Sequence, residues 1–167
     1  MDISNFSMPP VPASPGSSLH GTAYLIEIHA YNQEPIFGTV SANKMVLLNE
    51  LGQIAAAEWV QTSRNRQDIE LCDWTMLTNG LRGIVVVKAL NSASSGLSYG
   101  SGQRLTKPRS LSAFITRFKA AAAKRINLHR NHLGMSVWQP SYSNQVLNDP
   151  KLLHLTRQRL QQYGHPA

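Results

Sequence analysis

A strand, a hairpin, a helix, a second hairpin and a second helix follow one another in this chain. That order predicts an α+β fold: a ferredoxin-like antiparallel sheet with helices packed on one face. Apolar residues alternate along Tyr24, Ile26 and Ile28, as on one face of a strand, and recur at helical spacing in two later segments. The unbroken run Ile84-Val85-Val86-Val87 has the character of a strand at the centre of a sheet.

The elements are read in order. Residues 1–21 hold Pro9, Pro10, Pro12 and Pro15 among Ser, Ala and Gly, and offer too little apolar surface to offset the entropy of ordering them, so a disordered tail is expected. The domain spans 22–163, and 164–167 is a second short tail. The first strand starts at Thr22, with Ala23, Leu25 and Glu27 on its other face. A turn at Asn32 to Pro35 leads to a hairpin of Ile36 to Val40 and Met45 to Leu47 around Ser41-Ala42-Asn43. Asn49 caps a helix from Glu50 to Ser63, in which Leu51, Ile54, Ala55 and Trp59 form the buried face and Glu58 points outward. Ile69 to Leu77 and Gly83 to Ala89 make the second hairpin, turning at Thr78-Asn79-Gly80. A flexible loop is expected over 91–108, rich in Ser and Gly.

Ser110 is placed to cap the next helix. Its apolar face is Leu111, Phe114, Ile115, Phe118, Ala122 and Ile126, and its polar face carries Arg117, Lys119, Lys124 and Arg125. Gly134 ends that region, Ser136 to Gln139 is read as a short edge strand, and Pro150 to Gln162 as a last helix with Pro in its first turn.

With 167 residues and 42% hydrophobic content the chain suffices for one domain with a real core, and is too short for two ordinary ones. No apolar run approaches the ~20 residues of a membrane span, and Met1 to Ser18 lack the charged start and apolar centre of a signal peptide, so no membrane partner and a cytoplasmic location are expected. The single cysteine, Cys72, excludes disulfides and cysteine-based zinc sites, and its strand context marks it as a buried thiol.

The net charge of +7 is unevenly spread. Residues 1–81 hold three basic residues against eight acidic ones, whereas 82–167 hold thirteen basic residues against the single acid Asp149. Cations at that density repel one another, a cost that a polyanionic partner relieves. Nucleic acid is the expected partner; a homodimeric form stays open.

The order of several specific segments resembles the REP-associated tyrosine transposases, members of the single-tyrosine, His-hydrophobic-His (HUH) group. The carrying segments are Tyr31-Asn32-Gln33-Glu34-Pro35-Ile36-Phe37-Gly38, Leu48-Asn49-Glu50-Leu51-Gly52-Gln53-Ile54 with Glu58-Trp59, and Ile69-Glu70-Leu71. They continue with Asn79, Leu81 and Gly83-Ile84-Val85, Pro108-Arg109-Ser110-Leu111-Ser112-Ala113-Phe114, Phe118-Lys119-Ala120-Ala121, Lys124-Arg125-Ile126-Asn127, and Val137-Trp138-Gln139 with Tyr142. The resemblance covers about Tyr24 to Gln162. It implies DNA transposition, in which two histidines two apart on a central strand grip magnesium or manganese and a helix-borne tyrosine attacks the scissile phosphate to form a phosphotyrosine.

This chain departs from that pattern. Where the family has Asn-His-hydrophobic-His-Gly it reads Asn79-Gly80-Leu81-Arg82-Gly83, and where the family has Arg-Gln-Tyr before an Asn-Pro stop it reads Arg157-Gln158-Arg159-Leu160. Glycine offers no donor, and a guanidinium stays protonated, repels a divalent ion and is no nucleophile. The resemblance therefore implies binding of hairpin or single-stranded DNA without strand cleavage, with no catalytic residue at Gly80, Arg82 or Arg159 and no cofactor. The expected DNA-binding residues are Arg82, Lys88, Arg104, Lys107, Arg109, Arg117, Lys119, Lys124 and Arg125. Of these, Arg82 either holds a phosphate with its guanidinium, as the resemblance implies, or simply points to solvent.

Other readings compete. An active DNA-nicking transposase with re-sited chemistry would draw on Tyr163, one helical turn past Arg159. An RNA-binding module of the same fold class would display stacking aromatics that the strand Ile84 to Lys88 lacks. His129 and His132 share a helix face but lack nearby acids, and read as surface histidines; His29 reads as a satisfied sheet histidine. Trp59 and Trp74 read as core, Trp138 as core or a base-stacking platform, and Tyr142 as packing.

Overall fold

The computed structural model describes residues 21–88 and 109–164. The expected tails and the loop 91–108 lie outside the described residues, except that Gly21 opens the first strand and Gly164 closes the last helix.

Strands β1 (Gly21–His29), β4 (Ile69–Leu77), β5 (Gly80–Lys88) and β6 (Ser143–Val146) form one sheet in the order β4-β5-β1-β6, with every neighbouring pair antiparallel. Strands β2 (Gly38–Val40) and β3 (Val46–Leu48) pair separately as a small hairpin. Helix α1 (Glu50–Arg64) follows that hairpin, α2 (Arg109–His129) precedes β6, and α3 (Pro150–Gly164) ends the domain. With β5 inserted between β4 and β1, the topology is the split β-α-β arrangement of the ferredoxin-like class.

One face of the sheet presents Tyr24, Ile26 and Ile28 of β1, Trp74 and Met76 of β4, and Leu81 and Val85 of β5. Against it pack Ala55, Ala56 and Trp59 of α1 and the six-residue apolar stripe of α2 read from the sequence. Trp59 and Phe118 are fully buried, and a chain of ring contacts at 5.0–5.3 Å links Phe114, Trp59, Phe118, Trp138 and Phe37. Truncating Trp59 to Ala would cost about 3–5 kcal/mol by the usual penalty for a large core cavity.

Helices on a single face are not the whole arrangement, because α3 lies on the opposite face. Its Leu153 and Leu160 close a second cluster with Ala23, Leu25, Cys72, Ile84, Val86 and Leu147. A β-bulge in β4, where Leu71 pairs with Val85 but Trp74 with Gly83, inserts one extra residue and helps serve both layers. Cys72 and Asp73 fall within it: Cys72 joins the second cluster and Asp73 reaches α3, while Leu71 and Trp74 stay with the first cluster.

The expected edge strand over Ser136 to Gln139 is displaced. Val137 and Trp138 are drawn into the aromatic core, leaving only an isolated bridge from Trp138 to Ala30, and the polar segment Ser143–Val146 takes the sheet edge. Gly80, expected in a turn, is the first residue of β5 and pairs with both His29 and Leu77. Ser110 sits inside the first turn of α2, which begins at Arg109, rather than before it. At α1 the expected cap holds: Asn49 Oδ1 accepts from the Gly52 amide at 3.0 Å, and its Nδ2 donates to the Ile36 carbonyl at 2.8 Å. Gly52 is required there, since a Cβ would lie 2.2 Å from the Phe37 carbonyl oxygen.

Candidate nucleic-acid interface

Side chains two apart on a strand share a face, so Gly80 and Arg82 lie on the α3 side with Ile84, and Glu27 and His29 lie there with Ala23 and Leu25. The register sets Glu27 opposite Arg82 and His29 opposite Gly80. Arg82 Nε is 2.8 Å from Glu27 Oε1, yet its buried N–H is not directed at an acceptor, so the contact is an ion pair rather than an aligned hydrogen bond. His29 Nε2 is 3.8 Å from Glu27 Oε2, beyond hydrogen-bond reach, and His29 Nδ1 is buried without a partner. The sequence expectation of a satisfied sheet histidine is thereby corrected.

A divalent metal does not fit this strand pair. Gly80 supplies no donor, and a Cβ there would lie 2.3 Å from the Ile28 carbonyl oxygen, so the backbones have closed over the space a side chain would need. Arg82 sets a fixed cation beside Glu27, the nearest carboxylate. Among the described residues no group of three or more His, Cys, Asp or Glu is arranged to hold a metal ion.

On α3, Arg159 is exposed while Leu160 turns inward to the sheet. Arg157 Nε donates to Asp73 Oδ2 at 2.8 Å and Gln161 Nε2 to Asp73 Oδ1 at 2.9 Å, which fastens the helix to the bulge. Tyr163 is 53% exposed near the helix end.

The charge asymmetry of the sequence is reduced in part inside the fold. Carboxylates of the first half meet cations of the second: Glu27 with Arg82, Glu70 with Lys88 at 2.7 Å, Asp73 with Arg157, and Glu58 with Arg125; Glu50 also lies 2.6 Å from the His129 imidazole. Glu58, expected to point outward, has a side chain only 12% exposed because α1 lies against α2. The self-repelling polycation inferred from composition is thus partly neutralised by its own amino-terminal half.

The expected DNA-binding residues divide accordingly. Arg82, Lys88 and Arg125 are ion-paired. Lys119 donates to the carbonyls of Gln139, Pro140 (3.2 Å) and Ser141 (3.4 Å), and burial holds its ammonium below the usual lysine range. Arg117 and Lys124 are exposed on α2 with no ion-pair partner among the described residues. Arg104 and Lys107 lie outside the described residues, and Arg109 opens α2. The expectation for Trp138 resolves to core, at 7% exposure, and Tyr142 packs on that core with its hydroxyl 3.2 Å from Ser112 Oγ. Cys72 is buried, which pushes its thiol up. His132 is exposed.

Sequence reading missed Glu27 and Asp73, whose roles depend on partners 55 and 84 residues away. The available signal was Glu27-Ile28-His29 itself, an acid and an imidazole two apart on a strand, opposite Arg82 and Gly80.

No family model matches the chain, and no curated protein does. Among solved structures it is similar to a REP-associated tyrosine transposase bound to a REP hairpin, at 11% identity and a TM-score of 0.49, covering 86% of this chain and 66% of that one. The chain therefore spans just under two thirds of that relative's length. It is also similar to a proposed transposase from Deinococcus radiodurans R1, at 13% identity and a TM-score of 0.45, covering 91% of this chain and 98% of the other. At these values the likeness is one of broad arrangement, without residue-level correspondence.

Proposed function

We propose that the chain binds hairpin or single-stranded DNA through the exposed cations of its second half and leaves the strand uncut. The observation that carries this reading is the site on β5, where a bare backbone and a guanidinium paired with Glu27 stand in place of two metal-binding imidazoles. The α2 cations Arg117 and Lys124 support the binding half of the reading, being exposed and without an ion-pair partner among the described residues. Arg104, Lys107 and Arg109 precede them in sequence and add to the cations available to a phosphate backbone.

Salt titration of binding to a DNA hairpin with a single-stranded tail tests it. If six phosphates are contacted, the slope of log affinity against log salt is roughly −4 to −5, from about −0.7 per contact on single strands and −0.9 on duplex. A flat response, or no binding at low salt, overturns the reading.

A further inference from the structure

We propose that the turn after α2, with Leu133 at its tip, is a rigid apolar wedge that contacts an unpaired base of the bound DNA. The proposal rests on the DNA-binding reading above and adds a contact that cations cannot supply. Leu133 is 77% exposed, and Leu128 and Met135 beside it are 58% and 53% exposed. Single exposed apolar residues are ordinary, but three exposed within eight positions, from the last turn of α2 into the turn after it, exceed the usual scatter.

The turn is held out by design of its hydrogen bonds. Asn127, only 6% exposed, anchors it from inside: its Nδ2 donates to the Met135 carbonyl at 2.8 Å, and its own carbonyl accepts from the His132 amide at 2.9 Å. Its Oδ1 accepts from Arg130 Nε, also at 2.9 Å. Asn131 and Gly134 adopt φ of 55° and 77°, the left-handed region that these two residue types enter most readily. Leu133 lies between them, so the backbone presents it to solvent instead of laying it on the core.

Charge complementarity selects the occupant. Arg117, Lys124 and Leu128 stand at i, i+7 and i+11 of α2 and share one face, so a cationic strip leads into the apolar turn. The α1 carboxylates nearest this end, Glu50 and Glu58, are already paired with His129 and Arg125. A strip of cations ending in exposed Leu and Met side chains suits a strand whose phosphates follow the helix and whose next base is free to leave its stack.

The test uses the full chain and DNA hairpins carrying 2-aminopurine at each unpaired position in turn. Leu133→Ser is expected to weaken binding about tenfold with an unchanged salt slope, since no phosphate contact is lost. It is also expected to abolish a 2-aminopurine fluorescence change that the wild type produces at one position, and Leu133→Phe to retain it. Arg117→Ala with Lys124→Ala should instead flatten the slope by roughly 1.4–1.8. Salt-dependent binding that is identical for wild type and Leu133→Ser overturns the wedge and leaves the DNA-binding reading standing. Absence of any wild-type binding overturns both. Leu133-dependent binding to anionic vesicles, with DNA binding indifferent to Leu133, also overturns the wedge.

Discussion

Glu27 on β1 and Arg82 on β5 stand opposite each other in register, with Oε1 2.8 Å from Nε, on the sheet face that α3 covers. A carboxylate thus occupies the guanidinium, and on the proposed DNA-binding reading it competes there with a phosphate. Glu27→Gln is expected to raise DNA affinity about two- to fivefold and to steepen the salt slope by roughly one contact. Because both side chains are partly exposed, the melting free energy should change by less than about 1 kcal/mol. Parallel salt titrations and thermal melts check this; weaker binding by the variant would contradict it.

Gly80→His with Arg82→His would place two imidazoles two apart on β5. A Cβ at Gly80 meets the Ile28 carbonyl oxygen at 2.3 Å, so the β1–β5 pairing must shift to admit it. The double variant is expected to melt below the wild type and to take up no stoichiometric manganese in calorimetry. Tight uptake in a protein of undiminished stability would show that the strand geometry tolerates a metal pair.

Asp68 is the described carboxylate furthest from ordinary behaviour. Its hydrogen bonds from the Arg66 guanidinium, reinforced by the Ser110 hydroxyl, hold it down from 3.8 to about 2. A folded-state value below the unfolded one means stability that is present above about pH 4 and lost as pH falls from there through 2. Asp68→Asn should remove that acid limb and lower stability at neutral pH by about 1 kcal/mol after allowance for solvent screening. Melts between pH 2 and 7 of both proteins decide it, parallel curves being the contrary result.

Gly52→Ala should destabilise the protein by about 1–3 kcal/mol, because the added methyl would sit 2.2 Å from the Phe37 carbonyl oxygen at the start of α1. Asn49→Ala should cost about 1 kcal/mol through loss of the cap. Chemical denaturation measures both, and a neutral Gly52→Ala would show that α1 docks less tightly than described.

Local rules carried the sequence reading where the interaction was local. The cap at Asn49, the stripe from Leu111 to Ile126 and the central run Ile84 to Val87 each depend on neighbours within a few residues, and each stands in the structure. The sequence indicated a last helix over Pro150 to Gln162 but not which sheet face it would cover, a choice made by Cys72, Ile84 and Val86. The polar edge strand Ser143–Val146 had no hydrophobic alternation to betray it, and Val137 with Trp138 resembled a strand while serving the core. The cross-half ion pairs were hidden because Glu58 and Arg125 meet only once α1 and α2 have packed.

Incubation of the full chain with a tailed DNA hairpin and manganese, scored on native and denaturing gels together, tests the central claim most directly. The account predicts a retarded complex on the native gel, with intact DNA and no protein-linked strand after denaturation. A manganese-dependent nick or a covalent adduct would contradict it.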